Sequence, residues 1–503
     1  MAISTRSDAA AIKKEVTEGT PVVPAAGTDF IAVQEGFSIS TTFETLTNAE
    51  KTGTIGSSAP EQGKENTAIT LEHYARGSGV EGQAPNYGVL LESAFGSTTV
   101  VATERNTIAA STTSVLKVDT GEGVEFPRGR PVLVKDPLAT HSVRWVSDVA
   151  TDDLTMNFNL DAAPATGVEL GLPVYYLPTN DGHPTTTVWG YKGNVANGVV
   201  QMASGCRVGG LTISAAAAEY INASYEMVGL NGFYNPMLVT AARFLDFTSD
   251  NGTFAAAINS KWYKDPMDVA EAMTLAMNAA DPLETYLVEY NNNTGKFVIS
   301  SSTSTVLDLL WASGANAANT IGSLLGFDVG ADDVGAITYT ADNAKDWSAP
   351  YTPVFDDASP AVARSNKVTF GDPEDNVCFD VTSISASLTN SIIDIDSFCA
   401  ETGRSATAIS SREDAITLTA FVENYDVKKW HKYHKNSDVG FMWTWGDKDS
   451  AGNWIPGKTM SLWIPQAKIS EFVLDEQDSI LIVNMTLTPY VKNGQGEIYL
   501  GQL

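Results

Sequence analysis

The sequence predicts a mainly β protein with α+β decorations: two β-sandwich or barrel domains, each with a flanking helix, plus inserted β and α+β modules. Three observations carry this. Short runs alternate apolar and polar residues with a period of two, as half-buried strands do. Turn residues punctuate these runs at close spacing. The tetrapeptide Ala-Ile-Thr-Leu opens a strand twice, at Ala68 and at Ala415, and the surroundings of the two copies follow the same order of parts.

Residues 1–29, rich in Ala, Thr and Pro, read as a flexible N-terminal arm. A first domain is expected over 30–96 and 187–235. It begins with a strand in which Phe37, Ile39 and Thr41 alternate with Ser38, Ser40 and Thr42. A polar loop at 48–66 leads to the strand "TAITLEHYAR". Pro85 then fits the first turn of a helix running to about Phe95, with Gly96 as its stop. Residues 97–186 read as a β-rich insertion of short strands, among them "RPVLVKD", "VRWVSDV" and "LPVYYLP". The first domain resumes with two strands. Val208, Leu211 and Ile213 lead into "EYINASYEMVG", where Tyr220, Asn222, Ser224 and Glu226 oppose Ile221, Ala223, Tyr225 and Met227.

Residues 251–345 change character and predict an α+β module. Asp265 caps a helix with Pro266 at its first position, and Val269, Met273, Ala276 and Met277 share one face. Asn293-Thr294-Gly295 sits between two strand-like runs as a hairpin turn. "STVLDLLWASG" and "NTIGSLLGFD" read as short helices or turns. The last domain, 366–503, runs "CFDVTSISASLTNSIIDI", a loop, "DAITLTAFVE", the helical "NYDVKKWHKYHKNS" and two paired strands. Both halves therefore run strand, loop, strand, helix, strand pair. "FSISTTFETLT" precedes the first Ala-Ile-Thr-Leu as "TSISASLTNSI" precedes the second.

At 503 residues the chain exceeds one ordinary core. Its 60 acidic against 31 basic residues give a formal charge of −29. Such a surface repels phosphate and argues against a conventional nucleic-acid binder. It suits solubility, and equally a wall past which DNA slides. Cys206, Cys378 and Cys399 are too far apart for a zinc site or a disulfide framework and read as buried thiols in a reducing compartment. No apolar signal region stands at the start and no run of 18 apolar residues occurs, so a soluble cytoplasmic product is expected.

Three patterns suggest other chemistry. Gly77, Gly79 and Gly82 spell G-x-G-x-x-G between a strand and a helix, with Glu104 beyond them where a ribose-binding acid would lie. Against this, Glu81 puts a carboxylate where phosphate would bind, and no parallel βαβ pattern follows. His431 and His434 are spaced as two helical metal ligands, but Lys428, Lys429, Lys432 and Lys435 surround them and disfavour a cation. A basic, solvated or partner-facing helix is the plainer reading. Trp443, Trp445, Trp454 and Trp463 gather near the C-terminus, where packing is commoner than sugar stacking. Asn222-Ala223-Ser224 is a sequon without meaning in a cytoplasmic product. The predicted catalytic, cofactor and metal residues are therefore none.

"ITLEHYARGSGVEGQAPNYGVLLESAFGS" resembles the strand-and-helix core of tail tube proteins from long-tailed (siphovirus-type) bacteriophages, and "GCRVGGLTISAAAAEYINASYEMVG" is similar to the strand pair that closes that domain. The C-terminal domain resembles a second copy, so the resemblance covers about half the chain. The module 251–345, with "LLGFD", resembles decoration modules of phage virion proteins. The resemblance implies a non-enzymatic virion protein, made in the host bacterial cytoplasm. Its domains would pool strands into a continuous inner barrel, and stacked rings would form a hollow tube that delivers double-stranded DNA. Six domains per ring implies a homotrimer of two-domain chains. The loop 48–66 would reach the neighbouring ring, the arm 1–29 would order on assembly, and the partners would be tape measure, terminator and baseplate proteins. Alternatives are a terminator or baseplate ring of the same fold, a carbohydrate-binding adhesin, and a nucleotide enzyme built on the glycine loop.

Overall fold

The computed structural model describes residues 8–503 apart from 26, 51–58, 194–198, 345–352, 356–358, 376–377, 423–426, 493 and 495. Among the described residues 50% are strand and 9% helix, and the large sheets are antiparallel. The chain divides into two compact units. One holds Met1–Ala9, Trp189–Ala203 and Gly232–Thr352, the other Ala10–Val188, Ser204–Asn231 and Pro353–Leu503.

In the larger unit the N-terminal half supplies strands β1 (Ser38–Leu46) and β2 (Glu61–Tyr74), helix α1 (Gly88–Phe95), and strands β3 (Val199–Ala216, in this unit from Ser204 onward) and β4 (Asn222–Gly229). The C-terminal half supplies β5 (Val381–Asp396), β6 (Arg404–Phe421), α2 (Val427–His434), β7 (Trp454–Gln477) and β8 (Ile480–Pro489). Antiparallel pairing sets the order β1-β2-β4-β3 in the first half and β5-β6-β8-β7 in the second. β3 pairs with β5, so eight strands follow one another without a break.

The two quartets match in register as well as in order. Ile69 faces Met227 and Ile416 faces Leu487; Thr70 faces Ser38 and Thr417 faces Ser385. Both closing strands carry a register shift at the same place, Val208/Gly210 on β3 and Ile469/Glu471 on β7. A bulge is costly to place at random and re-aims the strand it bends. The short Ser-Ile-Ser matches, by contrast, are two residues out of step, because the partner of Ser383 is Thr419.

Alternation decides which residues are interior. Leu71, Tyr225, Ile213, Leu388, Leu418 and Met485 are buried, each between polar neighbours that point the other way. Helix α1 begins at Gly88, three residues beyond Pro85, which lies in the turn before it; Pro85 accepts the Gly88 N–H at 2.7 Å. It stops at Gly96 because φ there is 101° and a Cβ would lie 1.9 Å from Thr179 Oγ1.

Several expectations change. The arm 1–29 is not a free tail over its described part. Ala9–Lys14 is a strand, Ala10 pairs with Ile31, and Ala10 and Ala11 are fully buried. Glu15 anchors the end of this strand by accepting from Gly19 N (2.9 Å), Gly205 N (2.8 Å) and Thr187 Oγ1 (2.8 Å). The loop 48–66 is shorter than read, since β2 already begins at Glu61; residues 51–58 lie outside the described set. Segment 97–186 contains a six-stranded sheet with its own core around Leu116, Phe126, Val132 and Leu154. It is nevertheless stitched to the C-terminal half: Val174–Pro178 pairs with both Gly96–Val100 and Tyr499–Gln502. Of the three thiols only Cys206 is buried; Cys378 and Cys399 are exposed.

In the smaller unit Asp265 Oδ1 accepts from Met267 N (2.7 Å) and Asp268 N (3.0 Å), starting helix Pro266–Ala280. Val269, Met273 and Met277 pack from it into the core. The hairpin Tyr286–Asn291/Lys296–Ser301 turns at Asn293–Gly295. Within "STVLDLLWASG", Leu307–Leu309 is a strand paired with Phe244–Ser249, in place of a helix.

Candidate functional site

Residues directly opposite one another in an antiparallel sheet share a face. Following such pairs across the larger unit gives four ladders. One runs Ser38, Thr70, Glu226, Gly210, Thr389, Glu413. The next runs Glu72, Ser224, Thr212, Ser387, Ala415. The third crosses seven strands as Tyr74, Asn222, Ser214, Ser385, Thr417, Thr486, Glu471. The fourth runs Ala216, Ser383, Thr419, Asn484, Val473. These ladders contain no lysine or arginine. Their charged members are the carboxylates Glu72, Glu226, Glu413 and Glu471.

Cross-strand hydrogen bonds hold parts of this face in place. Ser38 Oγ lies 2.8 Å from Thr70 Oγ1, Thr419 Oγ1 donates to Asn484 Oδ1 at 2.8 Å, and Thr486 Oγ1 donates to Glu471 Oε2 at 3.2 Å. A groove of about 500 Å³ crosses the junction of the two halves, lined by Ser214, Ser385, Thr417, Thr486 and Glu471 among others. A surface of short hydroxyls and amides exchanges hydrogen bonds with water readily and offers phosphate no fixed counter-charge. Its scattered carboxylates repel polyanions.

The residues that suggested other chemistry lie elsewhere. The glycine loop faces protein, not a ligand. Gly79 N donates to Gly457 O (3.0 Å), Gly82 N to Leu172 O (3.1 Å) and Ser78 N to Gln502 Oε1 (3.1 Å), so these N–H groups are already occupied. Glu104 does come close to Glu81, and with Glu169 the three form the one cluster of three or more metal-ligating side chains found among the described residues. Lys135 already supplies the cation there, its Nζ 2.9 Å from Glu81 and bonded to Glu169. Burial alone would lower the Lys135 ammonium, but the two carboxylates hold it above its ordinary value.

His431 and His434 are both exposed on α2. Of the lysines around them, Lys428 is paired with Asp375 (2.7 Å) and Lys432 with Asp372 (2.6 Å). Trp443, Trp445, Trp454 and Trp463 are all buried, so none offers a stacking platform. Asn222 lies in the third ladder and accepts from Gln34 Nε2 at 2.9 Å.

Sequence reasoning did not pick out the face itself. The signal was present: Ser383, Ser385, Ser387 and Thr389 alternate with Ile384, Ala386, Leu388 and Asn390. What the alternation of one strand lacks is its register against the next. Among the described residues no helix is long and apolar enough to cross a membrane. No protein-family model matches the chain, and no curated protein matches it.

Proposed function

We propose that this chain is a structural subunit of a long-tailed phage tail, polymerising into stacked rings that form the tube through which double-stranded DNA passes. The observation that carries this reading is the polar face whose four ladders contain no lysine or arginine, built on eight successive strands contributed by two quartets of matching order and register. A conduit for DNA needs a wall that is wettable and does not hold phosphate. Two equivalent quartets per chain favour three chains in a ring of six, and the same subunit then belongs to the virion after synthesis in the host cytoplasm. Its neighbours along the tail are further rings and the tape measure, terminator and baseplate proteins.

Electron microscopy of the purified protein, with its mass in solution, tests the proposal. Rings or tubes of three chains with a six-lobed pore are expected. Rings of six whole chains would retain the tube and defeat the two-domain stoichiometry. A monomer that bound nucleotide or glycan would defeat the reading altogether. The terminator or baseplate alternative predicts single rings that do not stack.

A further inference from the structure

The junction between the two halves is a template that the chain leaves unfilled at both ends. Inside the chain, β3 presents Gly210–Ala216 to Ser383–Thr389 of β5. The position on β7 that matches Gly210 is Glu471, fixed by the shared bulge, and the position on β1 that matches Ser385 is Ser38, fixed by their equivalent partners Thr70 and Thr417. Yet among the described residues β1 pairs only with β2. Beyond Ala467, β7 pairs with β8 on one side and with no strand on the other among the described residues. These free edges carry apolar side chains in water: Leu474 is 55% exposed and Val473 45%, and Phe43 on β1 is 45% exposed. Leu474 occupies the position of Ile213, which is 4% exposed inside the chain. Unpaired strand edges that carry exposed apolar side chains invite strand addition.

We infer that the free edge of β7 receives β1 of a second copy of this chain in the register of the internal junction, with Val473 opposite Ser40, Leu474 opposite Ile39 and Asp475 opposite Ser38. The inference rests on the ring reading and gives its joint residue by residue. Head-to-tail pairing of this kind closes into a ring when the rotation allows.

The helix beside each junction supplies a second, independent fit. Internally, Asn390 Nδ2 donates to Ala94 O (3.0 Å) and Val208 O (3.1 Å), and Arg412 donates to Phe95 O (3.3 Å); the second half thus seats its side chains on the carbonyl end of α1. At the open end, α2 stands in the place of α1 and packs on β7 through Trp430, Tyr433 and Phe472, with ring centroids 5.5 Å and 5.9 Å from Phe472. The residues at the positions of Asn390 and Arg412 are Phe43 and Glu65. Phe43, 45% exposed, therefore meets a helix whose end is aromatic and basic, with Trp430 49% exposed, while Glu65 is buried within its own chain. The joint between chains is complementary on its own terms and differs in chemistry from the joint within the chain.

The test uses the full chain with Cys378 and Cys399 replaced by serine. Ser40→Cys with Val473→Cys places two thiols opposite each other across the joint. Ser40→Cys with Gln477→Cys is the out-of-register control. Under mild oxidation the in-register pair is expected to form covalent oligomers in about tenfold higher yield than the control, because disulfides demand close Cβ atoms. Peptide mass spectrometry of mixed isotope-labelled and unlabelled chains then shows that the bond joins different molecules. Rings with equal cross-linking in both pairs would overturn the register and leave the ring reading standing. Absence of any oligomer would overturn both. Separately, Leu474→Asp should leave the thermal midpoint of the monomer unchanged and abolish assembly; unaltered assembly would refute the joint.

Discussion

Asp414 lies on β6 with both carboxylate oxygens buried and without a hydrogen-bond partner. Burial pushes its carboxyl up to about 7, the charge of Glu497 adds to this, and Arg412 opposes it. The native state thus holds a proton that the unfolded chain releases near pH 4. Between these values the folded form binds more protons, so stability falls as pH rises from about 4 through about 7. His73 works the other way. It sits between the rings of Tyr87 and Tyr225, its Nε2 has no partner, and burial holds it down to about 4. There the native state binds fewer protons than the unfolded chain, so stability falls as pH drops from about 6.5 through about 4. Asp414→Asn removes the first penalty while keeping the shape. Its thermal midpoint should exceed that of the wild type by about 2 °C at pH 8 and match it at pH 4. Thermal unfolding at the two pH values checks this, and an equal gain at both would mean that ionisation is not the cause.

At the scale of elements, the turn between β2 and α1 is a packing device. A Cβ at Gly77 would lie 2.2 Å from Gly457 O, a backbone atom that cannot swing aside. Gly77→Ala is expected to destabilise the larger unit by about 2 kcal/mol with no ligand present, read by denaturant unfolding. A phosphate-binding loop would instead show its defect in ligand binding. Much of the element pattern was legible beforehand because period-two alternation is local: Ile221, Ala223, Tyr225 and Met227 declare their buried face within one strand. The repeat was legible through Ala-Ile-Thr-Leu, since Ile69 and Ile416 occupy the same register. The serine motifs beside it misled by two residues because short polar strands resemble one another. The strand Ala9–Lys14 was missed for a different reason. Alanine has weak strand preference, and the contacts of Glu15 with Thr187 and Gly205 that anchor the segment come from far along the chain. The same limit hid the candidate face. Which of the 60 acidic residues share a surface depends on β3 meeting β5, a pairing no local window contains.

For the whole molecule the question is what the net charge of −29 does. Lowering DNA affinity everywhere would not need an ordered surface; a lining that faces DNA would. Ser385 and Thr417 are direct neighbours in the third ladder, near the middle of the eight strands. Their side chains point away from the interior, so Ser385→Lys with Thr417→Lys should leave folding and the proposed ring assembly intact. If this face lines the channel, each assembled particle gains a ring of lysines inside. It should then retain short double-stranded DNA at low salt, whereas the wild type retains none. The retained fraction should fall steeply with added salt, the logarithm of affinity changing by about 0.9 per phosphate contacted for each unit in the logarithm of salt concentration. The same two lysines on unassembled chains should give much weaker binding, because few of them can reach one duplex together. Particles that form normally, carry the lysines and still release DNA would place this face away from the DNA path. They would leave the assembly standing with its channel elsewhere.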